Sequence, residues 1–325
     1  MNILFSVVIP LYNKRCFIKR AVVSVLNQKY QHFELIVIDD GSTDGSVEQL
    51  SVLDDRRLQV ISQINQGVGS ARNNGMKRAK GQWIAFLDAD DEWLPDHLIT
   101  LIEIIRTYPS SGLISNRCIE IDAHSRPKIF ETPLHLQQID YFRCASKSVG
   151  FINSTSVAIK AEVTQTLGGF LTHKRGEDLE YWARVALHYP VAISSRVTSF
   201  YYRDTQGVMS EPADKVITKQ PLIRQLSDIS PSVKLVYEFL QQQDSDLVSR
   251  VSLVAYINSR LDSLIIQKLY AKNLNGLHAL KSLYLKPLER RSILLTALIS
   301  MPTVTLGVLI DCYRLTQKIK RSLKR

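Results

Sequence analysis

In the segment Trp83-Ile-Ala-Phe-Leu-Asp-Ala-Asp-Asp91, an apolar run ends in three carboxylates. Consecutive apolar residues of this kind are typical of a strand covered on both faces. Three carboxylates at the end of a buried strand are costly unless a cation neutralises them. Mg²⁺ or Mn²⁺ fits, because these ions take oxygen ligands and share them with phosphates. The segment alone leaves a second interpretation open, a polar turn that caps a helix beginning near Leu94.

Strands and helices alternate through the residues before this stretch. Apolar runs predict strands at 5–10, 33–38, 58–61 and 83–86. An apolar stripe at 17–26 predicts a first helix. A second helix would have its N-cap at Ser42, Thr43 or Asp44, and a third helix would end at Gly81. This alternation predicts an α/β fold, with an open, mostly parallel, Rossmann-like sheet flanked by helices.

Unusual polar residues follow three of the predicted strands. Tyr12 and Asn13 come after the first, Asp39 and Asp40 after the second, and residues 88–91 after the fourth. Ligands of open α/β sheets bind beyond the carboxyl ends of the strands, so we expect one shared pocket there. The glycine-rich dinucleotide fingerprint and the P-loop are both absent from the sequence. A metal would therefore have to balance most of the charge of any bound phosphate.

Five segments in fixed order carry a family resemblance. They are Val7-Val-Ile-Pro-Leu-Tyr-Asn13, Val37-Ile-Asp-Asp-Gly-Ser-Thr-Asp44, Asn65-Gln-Gly-Val-Gly-Ser-Ala-Arg-Asn-Asn-Gly75, Phe86-Leu-Asp-Ala-Asp-Asp91, and an acceptor-side group formed by Leu167-Gly-Gly-Phe170, Gly176-Glu-Asp178 and Tyr181-Trp-Ala-Arg184. Together they resemble the family 2 glycosyltransferases, which have the GT-A fold. The resemblance covers roughly the first 210 residues.

The resemblance implies transfer of a sugar, with inversion at the anomeric carbon, from a UDP-sugar or another nucleotide-diphosphate sugar. Tyr12 and Asp40 would hold the nucleobase and ribose, and Pro10 and Asn13 would shape the same wall. Arg72 would contact the base or the diphosphate.

The Asp-x-Asp motif would hold the sugar nucleotide and its metal. Asp90, together with Asp91, would contact Mg²⁺ or Mn²⁺, and Asp88 would face the ribose or a metal-bound water. Ala89, between the two aspartates, would line the nucleotide-sugar site. Asp39 is more readily explained as a side chain that stabilises the turn.

An attacking hydroxyl must lose its proton, which requires a positioned carboxylate. The resemblance makes Asp178 the candidate base and Glu177 the second candidate, since the sequence does not tell which one points inward. Both would otherwise only cap a helix at 179–187, because acidic residues favour a first turn.

One position departs from the family pattern. Members often carry Tyr-Arg-x-His after the acceptor-side group, and the histidine can complete the metal site. This chain has Thr205 at that position, so Asp204 or water would fill the gap. The histidines at 135, 173 and 188 form no convincing ligand cluster, although His173 is near enough to the Glu-Asp pair to line an acceptor cleft.

The pattern changes near residue 220, so we predict a catalytic domain at 1–220 and a helical region at 221–325. Helical periodicity predicts helices at 233–240, 247–269 and 277–285. Residues 281–325 contain ten Lys and Arg against Glu289 and Asp311, which is most of the formal net charge of +10. Without an aromatic platform, this basic tail does not suggest nucleic acid binding.

Nineteen uncharged, mostly apolar residues at 292–310 lie inside the basic region. The segment is borderline for a span, which needs ~20 apolar residues. We expect a helix lying in the plane of an anionic membrane surface, with a spanning helix or a buried one as alternatives. The start of the chain has no signal-peptide pattern, and the four cysteines show no paired framework, so we expect a cytoplasmic location at the inner face of the membrane.

A cytosolic transferase at a membrane would meet a lipid-linked saccharide or a growing surface polysaccharide or lipopolysaccharide as its acceptor. The Gln-x-x-Arg-Trp motif of processive members is absent, so we expect addition of one sugar. Transfer to a polyprenyl phosphate and a non-catalytic sugar-nucleotide-binding scaffold are the alternatives. The segment 114–166, which should contact the acceptor, shows nothing diagnostic beyond a polar bend at 153–155.

Overall fold

A computed structural model describes residues 2–122, 133–148, 150–172, 176–203, 229–242, 248–270, 277–286, 288–301, 305–306 and 310. The chain divides into two compact units. Unit 1 comprises Met1–Cys144 with Gly150–Gly207, and unit 2 comprises Ala145–Val149 with Val208–Arg325. The predicted boundary at 220 falls outside the described residues.

The described residues of unit 1 form a nine-stranded sheet. Its strands are β1 (Phe5–Leu11), β2 (Phe33–Asp39), β3 (Leu58–Ser62), β4 (Trp83–Phe86), β5 (Glu92–Trp93), β6 (Leu113–Asp122), β7 (Leu136–Ile139), β8 (Val157–Lys160) and β9 (Val191–Arg203). The order across the sheet is β3-β2-β1-β4-β8-β6-β9-β5, and β7 also pairs with β9. The predicted mixed α/β class and the four predicted strands are confirmed.

The sheet has two halves of different character. In the first half, β3, β2, β1 and β4 are all parallel. In the second half, β8 runs antiparallel to both β4 and β6, while β6 and β9 are parallel. The parallel half carries the predicted motifs, and its carboxyl ends form the edge where the site lies.

The helices of the first unit cover this sheet. They are α1 (Ile18–Leu26), α2 (Val68–Arg78), α3 (His97–Thr107), α5 (Ala161–Leu167) and α6 (Glu177–His188), while α4 (Tyr141–Lys147) begins in unit 1 and ends in unit 2. β1 is buried along its whole length, and α1 covers it with a stripe of Ile18, Ala21, Val22 and Val25. α2 approaches β1 so closely that a Cβ at Gly75 would collide with the side chain of Val8.

Two predicted helix starts are wrong. Between β2 and β3 there is only a 3₁₀ turn at Glu48–Leu50. Ser42 and Asp44 accept hydrogen bonds from the loop after β1, and Asp44 also accepts from the Ser46 N–H at 3.0 Å, so that it caps a tight turn and no α-helix. α3 begins at His97 rather than near Leu94. The Leu94 N–H donates to the Thr198 carbonyl, and a residue before proline avoids helical angles.

Unit 2 is helical in its described residues. Its helices are α7 (Pro231–Gln242), α8 (Arg250–Tyr270), α9 (Leu277–Leu280), which continues as a 3₁₀ turn at Lys281–Leu283, and α10 (Arg290–Leu298). The core gathers apolar side chains of α8, α9 and α10, among them Leu261, Ile265, Leu280, Leu295 and Ile299. Within the described ranges, no helix is long and apolar enough to cross a membrane.

Candidate active site

The loops after β1 and β2 are bonded to each other. The Asn13 N–H donates to Ser42 Oγ at 3.0 Å, and the Thr43 N–H donates back to Asn13 Oδ1 at 2.9 Å. Asn13 has a φ of 50°, which asparagine tolerates better than most residues. Asp39 accepts from the Ser42 N–H at 2.9 Å, which is the turn-stabilising contact expected for it. Tyr12 extends from this junction with half of its surface exposed.

Asp40 fixes the start of α2. Its Oδ1 accepts from the Gln66 N–H at 2.9 Å and from Gln63 Nε2 at 2.7 Å, and its Oδ2 accepts from the Gly67 N–H at 2.8 Å. A carboxylate at the N-terminus of α2 also interacts favourably with the helix dipole. Asp40 therefore joins the β2 end to α2, and its contact with a nucleobase or ribose stays a prediction.

Arg72 lies at the centre of the site. It is almost fully buried on α2, and its Nη2 donates to Asp88 Oδ1 at 2.7 Å while its Nη1 donates to Glu177 Oε1 at 2.9 Å. Its guanidinium also lies 5.3 Å from the centre of the Phe170 ring. Arg72 thus links Asp88, after the end of β4, to Glu177 in the first turn of α6. The sequence predicts Arg72 only as a contact for the ligand.

The two aspartates of the Asp-x-Asp motif each face a cation. Asp88 pairs with Arg72, and Asp90 pairs with Lys14, whose Nζ is 2.6 Å from Asp90 Oδ2. Burial raises the pKa of Asp88, and although Arg72 lowers it, the nearby carboxylates of Asp90 and Asp178 raise it further. A group of carboxylates that disfavour one another's charge is a favourable place for an added cation.

Asp91 is placed differently from its neighbours. It is fully buried, and its two oxygens accept hydrogen bonds from the Tyr202 N–H at 2.9 Å and from the Thr155 hydroxyl. Burial raises its pKa well above the ordinary value, and Asp88 and Asp90 add to the effect. These bonds tie Asp91 to β9 and to the segment before β8, and its expected contact with a metal stays a prediction.

A metal site here would be built from few protein ligands. In the part of the chain that the structure describes, no three His, Cys, Asp or Glu side chains converge into a complete cage. Asp88 and Asp90 remain as two carboxylates at one strand end. Mg²⁺ is commonly held by one or two carboxylates together with substrate phosphates, so this donor set fits such an ion.

The structure separates the two candidate bases. Glu177 is buried and engaged by Arg72, and burial raises its pKa, with Arg72 opposing the effect and Asp178 adding to it. Asp178 is only partly buried, and its Oδ1 accepts from the adjacent Leu179 N–H at 2.8 Å. Its charge also acts on Asp88. Asp178 is therefore the more accessible carboxylate of the pair.

The Leu-Gly-Gly-Phe segment is anchored from two sides. Asn73 of α2 exchanges two hydrogen bonds with the Phe170 backbone, at 2.7 and 2.8 Å. From α6, Arg184 donates to the carbonyls of Leu167 and Gly169 and pairs with Glu180 at 2.8 Å. These bonds hold the segment against α2 and α6 and so fix where α6 begins.

Several residues at the site were not predicted. Lys14 and Arg20 both contact Asp90, the second through its backbone carbonyl, and Arg20 lies 3.6 Å above the Tyr202 ring. Tyr202 also donates to Glu92 at 2.7 Å. The positions discussed for a third metal ligand or an acceptor contact, residues 173, 204 and 205, lie outside the described residues.

The remaining predicted residues lie beside these groups. Pro10 is buried within β1, and Ala89 is buried between Asp88 and Asp90. His135 and His188 are not part of the site: the His135 N–H bonds Ser195, and His188 lies at the far end of α6. Their expected lack of a ligand role stays a prediction.

Comparison with known sequences places the motifs in one family. Residues 6–167 match the family model described as "Glycosyl transferase family 2". A Bacillus subtilis protein with the provisional name teichuronic acid biosynthesis glycosyltransferase TuaG is 42% identical over 105 residues, which are 31% of this chain and 42% of that protein. An uncharacterized glycosyltransferase of Haemophilus influenzae is 46% identical over 91 residues, 27% of this chain and 36% of that protein. The matches thus span less than half of these curated relatives.

Solved structures share the fold at low sequence identity. S. aureus TarS 1-349 in complex with UDP-GlcNAc has a TM-score of 0.65 and 17% identity, covering 98% of this chain and 91% of that chain. The mannosyltransferase PcManGT from Pyrobaculum calidifontis, in complex with GDP-Man and Mn²⁺, has a TM-score of 0.60 and 18% identity, covering 94% and 84%. These structures show that the chain has the GT-A fold. The family model matched over residues 6–167, together with the ordered motifs, establishes that the chain belongs to glycosyltransferase family 2.

Proposed function

We propose that the chain is an inverting glycosyltransferase that moves a single sugar from a UDP-sugar, or another nucleotide-diphosphate sugar, to a hydroxyl of a lipid-linked or surface-polysaccharide acceptor. The observation that carries this proposal is the double contact of Arg72. It holds Asp88 of the donor-binding motif and Glu177, the neighbour of the candidate base, within one hydrogen-bonded group. The residues proposed to bind the donor and those proposed to activate the acceptor would then lie in one site.

The donor site would be formed by the carboxyl ends of β1, β2 and β4. Tyr12 is exposed and able to cover a nucleobase, and Asp40 holds the adjacent loop in shape. Lys14 and Arg20 lie beside Asp90, where they would face a diphosphate. The metal-bound and nucleotide-sugar-bound members of this fold support a donor of this class.

Asp88 and Asp90 would hold Mg²⁺ or Mn²⁺ together with the diphosphate. When bound, the ion would supply Lewis-acid stabilisation of the leaving nucleotide diphosphate. The chain's own contribution is to hold the two carboxylates in place, since Arg72 pairs with Asp88 and Lys14 pairs with Asp90.

Asp178 would act as the general base. It would accept the proton of the acceptor hydroxyl while that oxygen bonds to the anomeric carbon from the face opposite the diphosphate, whose bond to the sugar breaks. Glu177 is already engaged by Arg72, so it would position the first turn of α6 rather than take the proton. We place the reaction at the cytoplasmic face of a membrane, where a lipid-linked acceptor would be met.

The test is transfer from radiolabelled UDP-sugars, beginning with UDP-GlcNAc, to lipid extract of the source organism. Asp178→Asn should lower turnover roughly 10²–10⁴-fold, the usual contribution of general base catalysis, with little change in donor affinity. Glu162→Gln, a surface carboxylate on α5, is the matched control.

Other outcomes would favour the alternatives. Nearly intact turnover in Asp178→Asn would indicate a phosphate acceptor, which has no proton to remove. Donor binding without any transfer would favour a scaffold. Products extended by many sugars would contradict addition of a single sugar.

A further inference from the structure

The helix α10 of unit 2 exposes apolar side chains that no described residue covers. Ile293 is 52% exposed and Leu294 is 67% exposed, and both lie on α10. On the opposite face of the same helix, Leu295 belongs to the core of the unit. An isolated apolar residue at a surface is ordinary, but α10 carries apolar side chains on both faces, and among the described residues none packs over Ile293 and Leu294 on its outer face.

Exposed cations lie on α10 and on the segment before it. Arg290 precedes Ile293 and Leu294 by one turn and therefore lies on the same side of the helix, and it is exposed. Lys281 and Lys286 are exposed in the segment that leads into α10. Arg291 is exposed as well, and Glu289 is the exposed acidic residue that precedes α10. The outer face of α10 thus combines two large apolar side chains with neighbouring described residues whose net charge is positive.

The positive charge beside the outer face of α10 favours one partner for this face over another. A second copy of this chain, joined by the two-fold symmetry usual for dimers, would bring the same positive patch against itself, which is unfavourable. An anionic lipid surface offers both an apolar layer for Ile293 and Leu294 and negative headgroups for the cations. We propose that the outer face of α10 docks in the plane of an anionic bilayer, with Ile293 and Leu294 inserted among the acyl chains and Arg290 at the headgroups.

This inference deepens the proposed function, because it assigns the surface by which the enzyme would reach a lipid-linked acceptor. It requires neither nucleotide nor acceptor and is tested separately. The full-length protein is sedimented with vesicles of phosphatidylcholine containing phosphatidylglycerol, and with vesicles of phosphatidylcholine alone. Wild type should bind the anionic vesicles, and the bound fraction should fall as salt is raised.

Paired variants test the face itself. The double variant Ile293→Ser/Leu294→Ser should weaken partition roughly tenfold or more, since it removes both inserted side chains. Val251→Ser, at a 58% exposed apolar position at the start of α8, should bind like wild type. Arg290→Glu should weaken binding to anionic vesicles by at least roughly fivefold, whereas Lys77→Glu, an exposed cation on α2, should not.

Urea unfolding of each variant checks that a loss of vesicle binding is not a loss of folding. Substitutions at these exposed positions should leave the urea midpoint of unfolding unchanged. The proposal is overturned if wild type does not bind anionic vesicles, or if the double variant binds them as Val251→Ser does. It is also overturned if the double variant converts a dimer to a monomer in analytical ultracentrifugation while vesicle binding is unchanged, since a second copy would then cover the face.

Discussion

Arg72 donates from Nη1 to Glu177 Oε1 at 2.9 Å, a contact between residues 105 positions apart in the sequence. The pair is buried, and the same guanidinium holds Asp88. Breaking one side of a buried ion pair leaves a charge without compensation, which is far more costly than loss of a surface pair. The geometry of the site therefore depends on a planar, forked cation at this position.

Replacing this fork tests that dependence. Arg72→Lys keeps the charge but cannot hold two carboxylates with parallel donors. We expect a loss of about 3 kcal/mol in the free energy of unfolding and a fall of roughly 100-fold in turnover. Urea unfolding and the transfer assay measure the two effects. Arg78→Lys, on the exposed end of α2, is the matched control, and equal behaviour of the two variants would contradict the bridging role.

Removing the charge of Lys14 should change two affinities, for Mn²⁺ alone and for UDP with Mn²⁺, in opposite directions. Its ammonium lies 2.6 Å from Asp90 Oδ2, where it competes with a metal ion for that carboxylate. Lys14→Met should therefore tighten binding of Mn²⁺ alone, while it weakens binding of UDP in the presence of Mn²⁺, because a cation beside the diphosphate is lost. Calorimetry measures both affinities, and changes of the same sign in both titrations would rule out this exchange.

Lys29→Met serves as the control for Lys14, since Lys29 forms an exposed pair with Asp96 on the surface. Exposed pairs contribute little, so neither affinity should change.

The Gly169–Asn73 contact predicts a coupled pair of mutations. A Cβ at Gly169 would collide with the Asn73 amide that holds Phe170. Gly169→Ala should cost about 1–3 kcal/mol of stability, and the cost should shrink in an Asn73→Ala background, where the collision is removed. A double-mutant cycle by urea unfolding measures the coupling. Strictly additive effects would show that the two positions do not interact.

His97 makes stability depend on pH. It is buried against Trp93 and Thr198, and burial lowers its pKa to about 3. The unfolded chain binds a proton near pH 6.5, whereas the folded chain does so only near pH 3, so stability is full above 6.5 and is lost as pH falls toward 3. Between pH 7 and pH 5 this histidine alone should remove about 2 kcal/mol.

His97→Phe keeps an aromatic ring against Trp93 and cannot be protonated. It should lower stability at pH 7 by about 1 kcal/mol, through loss of the Thr198 hydrogen bond, yet lose about 2 kcal/mol less than wild type on acidification to pH 5. Denaturant unfolding at the two pH values measures the difference, with the exposed His32→Gln as control. If His97→Phe lost as much stability as wild type between pH 7 and pH 5, the acid sensitivity would belong to other titratable groups.

The first half of the sheet could be predicted because its strands are continuous apolar runs bounded by turn residues. Residues 83–91 contain both the strand and the carboxylates, so their relation needed no tertiary information. The 3₁₀ turn between β2 and β3 could not be foreseen, since Ser42 and Asp44 suit a helix cap but bond across to the neighbouring loop. Contacts between loops distant in sequence leave no local pattern.

The same limit applies to the site. Lys14 and Arg20 are ordinary surface cations by sequence, and only the fold brings them to Asp90. Thr155 belongs to a stretch that reads as a polar bend, yet its hydroxyl holds Asp91 inside the protein. Asp91 differs from Asp90 because the chain turns after β4 and directs the two carboxylates into different surroundings, which adjacent identical residues cannot reveal.

The most direct test of the donor site is titration of UDP and GDP into the purified protein by calorimetry, with and without Mn²⁺. We expect that one nucleotide binds, that Mn²⁺ strengthens the binding, and that Asp90→Ala abolishes the Mn²⁺ effect. Asp96→Ala, a surface carboxylate paired with Lys29, should bind like wild type. Absence of binding under every condition, or Mn²⁺-dependent binding that survives Asp90→Ala, would contradict the account.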